Sequence, residues 1–113
     1  MDAQHAAAVT AVDLLRQDDL VVPASAYSEV LVHPYRRGPA VAARVERFFA
    51  DFPIRIQPVG AEIARRAAKL RAERRKVTLG DALILATGDE LDAMVVLTGE
   101  AEWPKLSPRT QVI

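Results

Sequence analysis

Short apolar runs, each closed by a turn signal and separated by helix-length amphipathic segments, restrict this chain more than any other feature. Leu20-Val21-Val22 is β-branched and stopped by Pro23, which reads as a strand. Ile54 to Val59 alternates between two prolines and reads as a second. Met94 to Leu97 is an apolar third, and Gln111-Val112-Ile113 a last short one. Between them the spacing predicts helices. Residues 3 to 17 carry Ala6, Val9, Val12 and Leu15 at three-residue steps, with Asp2 as N-cap. Ser25 to His33 reads as a helix ended by Pro34, because the residue before proline disfavours helical angles. Arg36 to Pro39 reads as a turn. Val41 to Asp51 presents Val41, Val45, Phe48 and Phe49, with Phe52 just beyond. Ala61 to Lys76 has a stripe of Ile63, Ala67 and Leu70, and Thr78 to Leu91 forms a further helix. Strands that alternate with helices imply an α/β fold, a parallel sheet flanked by helices on both faces. In such sheets ligands bind beyond the carboxyl ends of the strands. Val22 ends one strand, with Glu29 roughly two helical turns further on. Leu97 ends another, and Thr98-Gly99-Glu100 follows directly.

The 113 residues suit one domain, residues 1–113. Half are hydrophobic, enough for a folded core. Fifteen basic and fifteen acidic residues cancel, so charge distribution carries the information rather than net charge. Without cysteine there is no disulfide and no thiolate metal site, which fits a reducing compartment. No apolar run reaches the roughly 20 residues of a membrane span. The start, Met1 to His5, lacks the basic and apolar regions of a signal peptide, so a cytoplasmic location is expected.

Asp81 stands at the mouth of a helix that continues Ala82-Leu83-Ile84-Leu85-Ala86. One reading is structural. Thr78-Leu79-Gly80-Asp81 fits a capping box with Thr78 as N-cap, and a carboxylate there meets the positive end of the helix dipole. The other reading is a functional carboxylate. Glu29, taken alone, reads as a surface glutamate, although Ser25, Ala26, Val32 and His33 one turn away do not make a clean solvated face. Glu100 alone reads as a solvated loop acid, and Thr98 as a turn residue. His5 and His33 match no zinc spacing, and Trp103 reads as a packing residue.

Charge is segregated along the chain. Residues 62 to 76 hold seven basic side chains (Arg65, Arg66, Lys69, Arg71, Arg74, Arg75 and Lys76) against two acids, Glu62 and Glu73. Residues 81 to 102 hold six acids and no lysine or arginine. A basic helix beside an acidic site suits a phosphodiester nuclease: the bases attract backbone phosphates and clustered carboxylates hold divalent metal. The competing reading is a solvated basic helix face.

These residues together resemble the PIN-domain family, more narrowly a VapC-type toxin of a bacterial toxin–antitoxin pair. "VVPASAYSEVL" resembles the family's second strand and following helix, with its acid at Glu29. "VTLGDALILATGDEL" resembles the signature helix, with its acid at Asp81, and "VVLTGEAEW" the late strand with its Thr-x-acid turn at Thr98 and Glu100. The Asp-Ala-Leu-Ile core is the most specific of these. The resemblance implies a PIN-like sheet and a metal-dependent ribonuclease, with Glu29, Asp81 and Glu100 holding Mg²⁺ or Mn²⁺ and Thr98 in support. It further implies an RNA substrate contacted by Arg65, Arg66, Arg74 and Arg75, a cognate antitoxin that occludes the site, and self-association. Two carboxylates ~5 Å apart repel by about 3 kcal/mol at an effective dielectric of ~20, so converging acids shift toward protonation or bind a cation.

The chain departs from the family at its beginning. Members open with an apolar strand ending in Asp-x-Ser/Thr, whose aspartate is a principal ligand; here no apolar run precedes residue 3. The resemblance therefore implies that the first, central strand is absent, leaving an N-terminally incomplete domain with three of the four expected acids. Losing a central strand leaves buried donors and acceptors unpaired at about 1–3 kcal/mol each. Three accounts follow: a start placed too late, a second polypeptide or swapped partner that supplies the strand, or a decayed gene product. The first is the expectation. The rival of another class is a catalytically inactive PIN-like module that binds an antitoxin or a paralogue. A DNA-processing nuclease shares the chemistry of the leading reading.

Overall fold

A computed structural model describes residues 20–52, 54–92, 96–98 and 110–112. The expected helix over residues 3–17 with its Asp2 cap, and Glu100, lie outside the described residues. The described chain is α/β, with four helices and four short strands. β1 (Leu20–Pro23) leads through α1 (Ala24–Arg37) and α2 (Pro39–Asp51) to β2 (Ile54–Gln57). Then come α3 (Ala61–Glu73), α4 (Leu79–Glu90), β3 (Val96–Thr98) and β4 (Thr110–Val112). β1 and β2 run parallel in the register Leu20↔Ile54 to Pro23↔Gln57, and β3 and β4 run parallel from Val96↔Thr110 to Thr98↔Val112. Among the described residues the strands form these two pairs. For β1 and β2, parallel pairing is what the helical crossover through α1 and α2 imposes. No described helix is long and apolar enough to cross a membrane.

The boundaries of three elements, α1, α3 and β2, differ most from the sequence expectation; β3 also ends one residue later, at Thr98, and β4 starts one earlier, at Thr110. α1 does not stop before Pro34 but continues through it to Arg37. Proline removes one intrahelical donor, and tertiary and capping contacts hold the turn beyond it. The Tyr35 hydroxyl donates to Glu46 Oε1 on α2 at 2.5 Å, and this bond holds the phenol above its ordinary pKa. Arg36 and Arg37 sit favourably at the negative helix end. Gly38, at φ 128°, donates its N–H to the Pro34 and Tyr35 carbonyls, a conformation open chiefly to glycine. Pro39 then starts α2 at once, so the expected turn is a one-residue corner between helices.

α3 ends at Glu73 rather than Lys76. The Val77 side chain is drawn into the core, its N–H donates to Arg74 O at 3.1 Å, and its carbonyl accepts from Arg71 Nε at 3.2 Å. A helix continued through Lys76 would carry Val77 away from that position. β2, third, ends at Gln57 and leaves Pro58-Val59 outside it.

The helices pack as two hairpins, α1 on α2 and α3 on α4, and α4 also touches α1 and β1. In the first hairpin Tyr27, Phe48, Phe49 and Phe52 form an aromatic chain with centroid spacings of 5.0, 5.7 and 4.6 Å. Phe48, expected on the apolar face, remains exposed. In the second hairpin Ala67, Ala82 and Ala86 are fully enclosed beside Ile63 and Val77. Small side chains there let the two helices approach closely. Leu85 is 2 % exposed and is the largest fully buried side chain described. Replacing it with alanine is expected to lower stability by about 2–5 kcal/mol, the range for a buried leucine, read from urea unfolding followed by circular dichroism.

Candidate functional site

The start of α4 is set by Thr78, whose Oγ1 accepts the Asp81 N–H at 3.1 Å. This satisfies one of the donors that every helix N-terminus leaves over. The cap is thus made by the threonine. Among the described residues the Asp81 carboxylate takes no hydrogen bond in return, so the structural reading accounts for its backbone and leaves its side chain free for other work. That carboxylate is half-buried at the positive end of the helix dipole.

Glu29 lies on α1, and α1 packs against α4. Its carboxylate rests on the first turn of α4, against Gly80. A methyl group placed on Gly80 would overlap Glu29 Oε1 and stand 3.2 Å from Cδ and 3.3 Å from Oε2. The structure therefore brings Glu29 to the residue that precedes Asp81, across fifty positions of sequence. Neither acid has a basic partner among the described residues. One turn earlier on the same side of α1, the Ser25 hydroxyl is buried with no hydrogen-bond partner among the described residues.

Thr98 is the last residue of β3, where the sequence reading ended the strand at Leu97, and it stands at the carboxyl end of a parallel strand; Glu100 lies outside the described residues. Among the described residues no group of three acids, histidines or cysteines converges. Glu29, against Gly80, and Asp81, the next residue of α4, offer only oxygen donors, the choice of hard cations such as Mg²⁺, which commonly binds through one or two carboxylates plus substrate phosphate. The bare Cα of Gly80 leaves room for one carboxylate, and the orphaned Ser25 hydroxyl is a polar group of the kind that bound water satisfies. The residues present fit a divalent cation.

The four arginines separate into two pairs. Arg65 and Arg66 belong to an ion-pair network: Arg65 grips Glu62 through Nη2 at 2.5 Å and Nε at 3.1 Å, and Arg66 Nε reaches Glu62 at 3.3 Å and Glu90 at 3.0 Å. They line a cleft of about 300 Å³ with Lys69, Glu73 and Asp89. Asp89 is eight residues beyond Asp81, roughly 12 Å along the helix. Arg74 and Arg75 instead lie on the turn leading into Thr78, exposed and without an ion pair among the described residues. Of the four, this pair stands at the acidic end of α4.

A family model described as PIN domain matches residues 2–107. No curated protein and no solved structure matches the chain.

Two outcomes follow. Thr78→Ala removes the cap and is expected to cost about 1 kcal/mol, measured by urea unfolding. The hydrogen bond from Arg65 holds the Glu62 carboxyl below its ordinary value near 4.5. A depressed carboxylate stabilises the fold above the unfolded value and loses that contribution as pH falls through the folded one. The stability gap between wild type and Glu62→Gln is therefore expected at neutral pH and should close below about 4.5. Both groups are exposed, so the gap should also shrink in high salt.

Proposed function

The chain belongs to the PIN-domain family, whose members are generally nucleases, and we propose from that premise that it is a metal-dependent endoribonuclease of the VapC type. The observation that carries the proposal is the approach of the Glu29 carboxylate to the first turn of α4, one residue before Asp81. Two acids from different helices, with no basic partner among the described residues, make a place where a cation is the natural third party.

Glu29 and Asp81 would hold Mg²⁺ or Mn²⁺, joined by Glu100 beyond β3, with Thr98 in support. The bound ion would lower the pKa of the attacking water and offset charge on the phosphate. The rest falls to the chain. Thr78 fixes the turn from which Asp81 projects, and the contact of α1 with α4 brings Glu29 to it. Arg74 and Arg75 attract the RNA backbone toward this end of α4. A cognate antitoxin would silence the enzyme by covering these acids, and the chain would self-associate.

RNA cleavage in Mg²⁺ or Mn²⁺ tests the reading, with single-stranded DNA as competitor. Activity should vanish with chelator and fall on the order of a hundredfold or more in Asp81→Asn, a loss typical of removing an electrostatic group from a reacting centre. Intact RNA under all conditions would favour the inactive binding module. Preferential competition by DNA would favour the DNA-processing nuclease.

A further inference from the structure

We propose that Gly80 is a positioning residue of this site: its lack of a side chain seats the Glu29 carboxylate on the first turn of α4 beside Asp81. The inference rests on the metal-site reading above and adds to it a residue that is neither ligand nor base.

The backbone does not require glycine at this position. Gly80 is in the helical first turn, and among the described glycines only Gly38 has a positive φ. The tightest approach to this position comes from one group. A Cβ at Gly38 or Gly60 would meet nothing within 4 Å, whereas the three atoms nearest to one at Gly80 all belong to the Glu29 carboxyl group. Glycine is also a poorer helix former than alanine, so local stability does not select it. What remains is the carboxylate that occupies the space.

The atoms a new methyl would meet are the far end of a flexible side chain, so the fold can absorb the change by moving Glu29. Replacing Gly80 with alanine thus separates two quantities that usually fall together. Helix propensity favours alanine, so stability should hold or rise. The displaced carboxylate leaves the first turn of α4, so cation affinity should drop.

The experiment is Mn²⁺ binding to the full chain, read as free-ion signal by electron paramagnetic resonance, with urea unfolding in parallel. Wild type, Glu29→Gln and Asp81→Asn establish the site: saturable binding weakened by both substitutions supports the metal reading. Gly80→Ala is then expected to weaken Mn²⁺ binding by about 10–100-fold, as loss of a ligand-orienting neighbour does. Its urea midpoint should be equal to or above that of wild type. Added to Glu29→Gln, it should cause no further loss, because Gly80 acts only through Glu29. Unchanged Mn²⁺ affinity in Gly80→Ala, or a loss that adds fully to that of Glu29→Gln, overturns the role of Gly80 while leaving the metal site intact. A lowered urea midpoint matching the loss of binding overturns it in favour of a structural role. Absence of Mn²⁺ binding in the wild type overturns the metal reading and this inference with it.

Discussion

The close approach of α3 and α4 determines where the acidic end of the molecule can form. Ala67, Ala82 and Ala86 are enclosed at that contact, and larger side chains there would force the helices apart. Val77 locks the connecting turn by entering the same core, with its backbone bonded to Arg74 and Arg71. Once that turn is held, Thr78 is placed to cap α4, and the first turn of the helix lies within reach of α1. The apolar hairpin is thus the scaffold for a polar site at the start of its second helix.

The opposition between a capping and a functional Asp81 dissolves in the structure because cap and carboxylate are different atoms. Thr78 supplies the oxygen and Asp81 the N–H, so the carboxyl group is not consumed by helix initiation. Helix N-termini favour anions through the dipole, which makes this an inexpensive place to keep one carboxylate. Glu29 reaches the same first turn from α1, against Gly80. Two acids brought to one helix turn without a basic partner among the described residues would be stabilised by a divalent cation, which is the physical content of the proposed nuclease reading.

Much of the architecture was legible in the sequence because it rests on periodicity and punctuation. β1, β2 and the four described helices lie where alternation, Gly38-Pro39 and Thr78 indicate. The departures occur where a tertiary contact overrides a local signal. Pro34 reads as a helix stop, but the Tyr35–Glu46 bond and the Gly38 cap carry α1 past it. Lys76 reads as helical, but burial of Val77 ends α3 three residues sooner. Glu29 and Asp81 could be suspected singly; their meeting depends on packing of α1 against α4, which no local pattern encodes. Gly80 carries little sequence signal: a glycine near a helix start looks ordinary, and the one clue is that it lowers propensity without serving a turn.

Charge segregation in the sequence changes meaning once the chain is folded. The basic run over residues 62–76 reads as one electrostatic surface, yet α3 divides it. Near its beginning Arg65 and Arg66 are engaged by Glu62 and Glu90, and a guanidinium already paired with a carboxylate offers little net charge to a polyanion. At its end Arg74 and Arg75 stand on the turn to Thr78 with no such partner among the described residues. Backbone phosphates respond to net positive potential and release counterions in proportion to the charge they meet. On the proposed reading the pull on RNA would be greatest beside the acids and weak at the far end of α4, although the residue count along α3 suggests the reverse. A nuclease gains from that gradient, because it draws the phosphate toward the carboxylates instead of holding it a helix length away.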